Sequence, residues 1–211
     1  MGLTITLLMT VAGCPTTCMH CVRSGHSFPA MPLDNIRVAA DAFADYSSRS
    51  NVEINPFMMN EFLEHDDPIG VVDILQKRFP NFQLGTVATD GVSLGKREDW
   101  EFVISGLQKM GAARIWFAFH GQGTNHDELV QRPGAYQELR EAIRRVRAIG
   151  VDCGTNVFIN TKIAKDFIGF VNDFDRFEFE KQEWTIAFYA PTARLRSYEK
   201  YRPGLSCLGS A

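Results

Sequence analysis

Six short apolar segments mark out the chain, and amphipathic stretches separate them. Leu3-Thr4-Ile5-Thr6-Leu7-Leu8 is apolar and β-rich, the pattern of a buried strand. After a loop, Pro32-Leu33-Asp34 opens a helix in which Ile36, Ala39, Ala40, Phe43 and Ala44 recur at helical spacing. Asn51 to Asn55 predicts a second strand. Asp66-Asp67-Pro68 starts a second helix, with the proline near its first turn and Val71, Val72, Ile74 and Leu75 turned inward. Phe82 to Ala88 predicts a third strand, closed by the turn dipeptide Asp90-Gly91. Lys96 to Met110 reads as a third helix stopped by Gly111. Arg114 to Phe119 is the fourth strand, and Gly121-Gln122-Gly123 begins a polar loop. Ala135 to Ile149 is a strongly amphipathic fourth helix, Val151 to Ile159 a fifth strand and Lys162 to Asn172 a short helix. Glu183 to Tyr189 is a sixth strand, closed by Pro191.

Strands alternating with helices in this way predict an α/β fold with a parallel sheet and outer helices. Right-handed crossovers curl such a sheet into a barrel, here a partial (β/α)6 TIM-like barrel over residues 1–193. Residues 194–211, with Pro203, Gly204 and Gly209, carry little helical pattern and read as a tail or the start of an extension. Ligands of such folds sit at the C-terminal ends of the strands.

Composition narrows the class. The 211 residues suit one domain, and 45% hydrophobic with 22% charged residues is ordinary for a globular protein. A formal net charge of −3 indicates no nucleic-acid surface. No apolar run approaches the roughly 20 residues that span a bilayer. No basic region precedes the first apolar segment, so it reads as a strand and not as a signal peptide. Clustered thiols without such a signal point to a reducing cytoplasm.

The chemistry concentrates at Cys14-Pro15-Thr16-Thr17-Cys18-Met19-His20-Cys21, directly after the first strand. Three of the chain's five cysteines fall there, spaced C-x3-C-x2-C, so one tight loop aims three sulfurs at one spot. Three thiolates suit a 4Fe–4S cluster with one open iron, or zinc with His20 or His26 as fourth ligand. Cysteines that are simply buried are the third reading.

This spacing after a first strand resembles the radical S-adenosylmethionine (radical SAM) family. The resemblance covers roughly residues 3 to 190 and is greatest to the branch that modifies peptides and related small molecules. Met58-Met59-Asn60-Glu61 looks like the family's Gly-Gly-Glu-Pro, with the glutamate kept and both glycines absent. Ala88-Thr89-Asp90-Gly91 is similar to the Thr-Asn-Gly after strand three. Phe119-His120-Gly121 through His126-Asp127 to Arg132-Pro133-Gly134-Ala135-Tyr136 resembles the strand-four loop of that branch. His120 replaces its usual serine or aspartate, and Val130 replaces an arginine.

The resemblance implies a 4Fe–4S cluster on Cys14, Cys18 and Cys21, with S-adenosyl-L-methionine on the open iron. Reductive cleavage would give a 5′-deoxyadenosyl radical that takes hydrogen from a peptide or small metabolite, making the chain an oxidoreductase-like enzyme. A reductant such as flavodoxin or ferredoxin is implied as electron donor. His20 would lie near adenine, and Glu61 would meet the amino group of the methionine moiety. Thr89, His120, Asn156 and Tyr189 complete the implied cofactor-binding set, and Thr16 and Thr17 would donate hydrogen bonds to the sulfurs. His126 reads as a loop organiser, and Cys153, inside strand five, as a structural thiol. Cys207 alone builds no auxiliary cluster. The rivals are a glycyl-radical-type activase and a non-catalytic metal-binding barrel.

Overall fold

The computed structural model describes residues 3–21, 28–186 and 199–204, with Ile186 described in its backbone only. Its strands are β1 (Leu3–Met9), β2 (Val52–Met58), β3 (Gly85–Thr89), β4 (Ala112–Phe119), β5 (Asp152–Ile159) and β6 (Lys181–Ile186). Every ladder is parallel: β1 pairs with β2, and β3, β4, β5 and β6 follow one another in order. Helices α1 (Leu33–Ser50), α2 (Pro68–Arg78), α3 (Val92–Lys96) and α4 (Trp100–Lys109) connect the first four strands. Helices α5 (Gly123–Val130), α6 (Ala135–Ala148), α7 (Thr161–Lys165) and α8 (Phe167–Phe174) connect the rest. This is the expected partial α/β barrel.

One face of the larger sheet carries the core. Ile115, Phe117 and Phe119 alternate along β4 and are fully buried, together with Leu139, Ala142 and Val146 of α6. The opposite, concave face has no helix over it among the described residues. It presents Arg114 and Trp116 of β4, Gly154 and Asn156 of β5, and Lys181 and Thr185 of β6. Trp116 lies directly over Gly154, where a Cβ would overlap the indole ring. Lys181 Nζ sits 5.7 Å from the Trp116 ring centre, and Thr185 donates to Asn156 Oδ1 at 2.8 Å.

Four expectations change. β1 is not a buried strand: Leu3 and Leu8 are 62% and 58% exposed, as is Phe57, the residue paired with Leu8, at 56%. Among the described residues β1 pairs only with β2; Leu8 lies on one side of that pair, and of Leu3, Ile5, Leu7 and Met9 on the other only Leu7 and Met9 reach the core. The polar loop after β4 is helix α5, because His126, Leu129 and Val130 form one buried stripe once histidine counts as an inward-facing residue. The third helix starts at Trp100 and not at Lys96, because Arg97 is extended and spans outward to Leu63 O, His65 O and Asp99, and an unexpected short helix, α3, precedes it. The helix after β5 is likewise split at Asp166, whose carboxylate caps α8 through Gly169 N. The expected end of strand six at Tyr189, and His26 and Cys207, lie outside the described residues. Among those residues no helix is long and apolar enough to cross a membrane.

Candidate active site

The cysteine loop leaves the C-terminal end of β1 behind Val11 and Ala12, both buried. It is held by the end of α5. The last carbonyls of a helix have no partner within the helix. Here Val130 O accepts from Thr17 N at 3.1 Å, and Leu129 O accepts from Met19 N at 2.9 Å. Gln131, in the left-handed region at φ 55°, ends α5 at that point and accepts the Thr17 hydroxyl hydrogen bond. Thr17 is thus a loop anchor and not the sulfur donor expected of it.

Thr16 is the residue that meets the sulfurs. Its Oγ1 lies 3.2 Å from Cys14 Sγ and 3.4 Å from Cys18 Sγ, and donates to Asp90 Oδ2 at 3.1 Å. Cys14 Sγ also reaches Asp90 Oδ2 at 3.6 Å. Cys14, Cys18 and Cys21 are all of intermediate exposure. Burial, and next the Asp90 carboxylate, push the Cys14 thiol far above its ordinary range. Burial raises Cys18 to about 12. Without a cation the Cys14 and Cys18 sulfurs stay protonated at neutral pH, and a bound metal reverses that preference because a coordinating thiol is deprotonated.

Beside the thiols lies an acid pair, Glu61 buried and Asp90 half-buried. Glu61 is 2% exposed. Its Oε2 accepts from Thr89 Oγ1 at 2.9 Å and from Asp90 N at 2.7 Å. Its Oε1 is buried and has no hydrogen-bond partner among the described residues. Desolvation drives the Glu61 pKa well above the carboxylate range, with the Asp90 charge second, and desolvation likewise raises Asp90. Asp90 is steadied through Oδ1, which accepts from Val92 N at 2.9 Å. The absent glycines are replaced in kind: Asn60 adopts φ 58°, the left-handed conformation asparagine tolerates better than most residues.

Across the mouth stand three aromatic rings. His20 and His120 lie with ring centres 4.3 Å apart, and both stack on Phe158, at 4.9 and 4.7 Å. Burial lowers the pKa of His20 to about 4 and that of His120 well below its usual value. His126 is buried, and its Nδ1 accepts from His120 N at 3.3 Å, which makes it an organiser of the β4 end. Asn160 Nδ2 donates to His120 O at 2.8 Å, tying the ends of β4 and β5 together.

Of the residues singled out in the sequence, Cys14, Cys18, Cys21, His20, Glu61, Thr89 and His120 thus gather at the C-terminal mouth of the barrel. Asn156 does not join them; it lies lower on the concave face, bonded to Thr185. Tyr189 is outside the described residues. Cys153 is buried in β5 and takes no part in the mouth. Asp90, Phe158 and Asn160 were missed. Asp90 read as a turn residue; its neighbours Cys14 and Glu61 are remote in sequence. Phe158 and Asn160 carry no local signal beyond the end of a strand.

No protein-family model and no curated protein matches the sequence. The fold, however, matches solved structures. The protein anSMEcpe with bound AdoMet and the Cp18Cys peptide aligns at a TM-score of 0.63 and 13% identity, over 89% of this chain and 52% of that one. Streptococcus suis SuiB bound to S-adenosylmethionine aligns at 0.58 and 13%, over 94% and 47%. OxsB, a cobalamin-dependent S-adenosylmethionine radical enzyme, aligns at 0.56 and 16%, over 92% and 29%. The chain therefore has the partial-barrel fold of radical SAM enzymes and spans about half the length of the first two neighbours.

Proposed function

We propose that the chain is a radical SAM enzyme acting on a peptide or small metabolite. The observation that carries this reading is the placement of Cys14, Cys18 and Cys21 at the C-terminal mouth of a partial barrel, next to a buried Glu61 with one oxygen unpartnered among the described residues. The donor set fits the group: three soft sulfurs on one loop suit iron–sulfur ligation, with one iron left open. Glu61 Oε1 fits an ammonium, which would neutralise a carboxylate that burial otherwise disfavours. S-adenosyl-L-methionine would lie between the cysteine loop and Glu61. When bound, the cluster supplies the electron that releases a 5′-deoxyadenosyl radical for hydrogen abstraction.

The chain's own residues position and shield. Cys14, Cys18 and Cys21 would hold the iron, and Thr16 would turn its one hydroxyl proton from Asp90 to a sulfur once the thiols ionise. Thr89 and the Asp90 amide aim Glu61. His20, against Phe158, offers a neutral ring face to adenine, and His120 closes the far side. Asn156 and Tyr189 belong to the same proposal, as ribose or substrate contacts. The concave face from Asn156 down to Trp116 and Lys181 is where a substrate would lie. A peptide substrate is favoured because anSMEcpe and SuiB were solved with peptides. A flavodoxin- or ferredoxin-like reductant in the cytoplasm would supply the electron.

The test is anaerobic reconstitution with iron and sulfide, followed by dithionite and S-adenosylmethionine. 5′-Deoxyadenosine that disappears in Cys14→Ala, Cys18→Ala and Cys21→Ala supports the reading. A brown, cluster-loaded protein that makes none, or a triple variant that still cleaves S-adenosylmethionine, ends it.

A further inference from the structure

One group of ligating atoms at the mouth does not coincide with the three cysteines. Cys18 Sγ and one ring nitrogen each of His20 and His120 all lie within 4.8 Å of one another. A divalent ion with bonds of about 2.0 Å to nitrogen and 2.3 Å to sulfur holds such donors roughly 3.3–3.8 Å apart. The trio thus needs to close by up to about 1.5 Å on binding the ion. Cys14 and Cys21 are not members, and Cys14 is turned to Thr16 and Asp90.

The surroundings suit a small closed site. His20 and His120 are 7% and 4% exposed. His120 is fixed through its own backbone: His126 accepts from its amide, and its carbonyl accepts from Asn160. Both rings rest on Phe158, which limits their rotation. One thiolate and two imidazoles form the donor set of a zinc site with an open fourth position.

We propose that Cys18, His20 and His120 form a mononuclear zinc site. Zinc occupies it when the three-cysteine site holds no cluster. Cys18 belongs to both, so the two occupants exclude each other, and zinc opposes cluster assembly. The exclusion rests on the cluster reading above; the mononuclear site does not.

Cobalt(II) replaces zinc as a coloured probe. The full chain, purified without metal, is titrated with cobalt, and the thiolate-to-cobalt band is followed together with the visible bands of four-coordinate cobalt. One equivalent is expected to bind in the wild type and in Cys14→Ser and Cys21→Ser. His120→Phe, which keeps a ring on Phe158, and Cys18→Ser are expected to weaken binding by more than the roughly 100-fold that even outer-shell partners cost. His20→Phe is the second ring variant should His120→Phe not fold. The site is overturned if no thiolate-to-cobalt band forms. It is also overturned if the ring variants bind like the wild type, or if Cys14→Ser and Cys21→Ser lose the signal, which places the ion on the cysteines alone.

Preloaded zinc is then expected to slow iron incorporation in the wild type and not in His120→Phe; equal rates overturn the exclusion while leaving the site standing. Failure of iron to bind even without zinc, with cobalt bound as expected, sinks the cluster reading and keeps the mononuclear site.

Discussion

The backbone amide of Asp90 donates to Glu61 Oε2 at 2.7 Å, joining the ends of β2 and β3 through a buried and a half-buried acid. The same Asp90 accepts from Thr16 and Cys14, so a single side chain connects the glutamate to the cysteine loop. The acids are held in place before any ligand arrives, and that pre-positioning sets up the first prediction.

Glu61→Gln keeps an acceptor for Thr89 and Asp90 N but removes the charge facing the proposed ammonium. A hydrogen bond to a charged group is worth about 1.5–3 kcal/mol, so S-adenosylmethionine affinity is expected to fall roughly 10- to 100-fold in equilibrium dialysis. The unliganded protein should respond oppositely. Because the Glu61 pKa is raised in the folded state, the folded chain holds a proton that the unfolded chain has released above the ordinary carboxylate range. Wild-type stability is therefore lost as pH rises from about 4.5. The advantage of Glu61→Gln in melting temperature should grow from pH 5 to pH 8, and an advantage that shrinks contradicts it.

Asn60 precedes Glu61 at φ 58°. Asn60→Gly should leave stability within a few tenths of a kcal/mol, because glycine takes this conformation freely. Asn60→Val should cost about 1–2 kcal/mol in urea unfolding. Equal midpoints for the two variants would show that the turn relaxes.

The histidines set the acid limb. Burial lowers His126 from its ordinary value to about 4, so its stabilising contribution is complete above pH 6.5 and is lost as pH falls through 4. That contribution is about 3 kcal/mol at full size. His126→Asn keeps an acceptor for the His120 amide and does not titrate. The variant's melting temperature should therefore fall less steeply than the wild type's between pH 7 and pH 4. Parallel curves would mean that His126 is already charged in the folded chain.

Tyr201 braces the cysteine loop from the far end of the chain. It is buried against Leu129 and Met19, donates its hydroxyl hydrogen bond to Glu128, and lies beneath the Lys162 ammonium, 5.6 Å from the ring centre. Tyr201→Phe should cost about 1 kcal/mol, the value of one hydrogen bond. Tyr201→Ala should cost about 3–5 kcal/mol through the cavity it leaves. Amide exchange at Met19, whose partner is Leu129 O, should quicken only in the alanine variant. Quickening in both variants would assign the brace to the hydroxyl.

Local pattern carried most of the architecture. The period of Ala135 to Ala148 and the apolar runs of β4 and β5 each identify an element without help from the rest of the chain. The spacing of Cys14, Cys18 and Cys21 likewise put three thiols on one loop, because a loop's spacing is written in consecutive residues. Where the reading failed, a distant partner decided the outcome. Nothing near Leu8 says that it stays exposed. Nothing near His126 says that it faces inward and makes a helix of a polar stretch. Arg97, expected in the first turn of a helix, is instead extended and reaches carbonyls more than thirty residues earlier, at Leu63 and His65.

By itself the sequence determined the succession of strands and helices, the parallel sheet that follows from it, and the three thiols at the end of β1. These depend on hydrophobic period and short-range spacing, which the chain carries locally. Only the tertiary structure decided that Asp90 meets both Glu61 and Cys14, that His20 and His120 close on Phe158, and that Asn156 lies below the mouth. Those meetings depend on strand register and loop path, which bring residues from separate βα units together only once the sheet has curved.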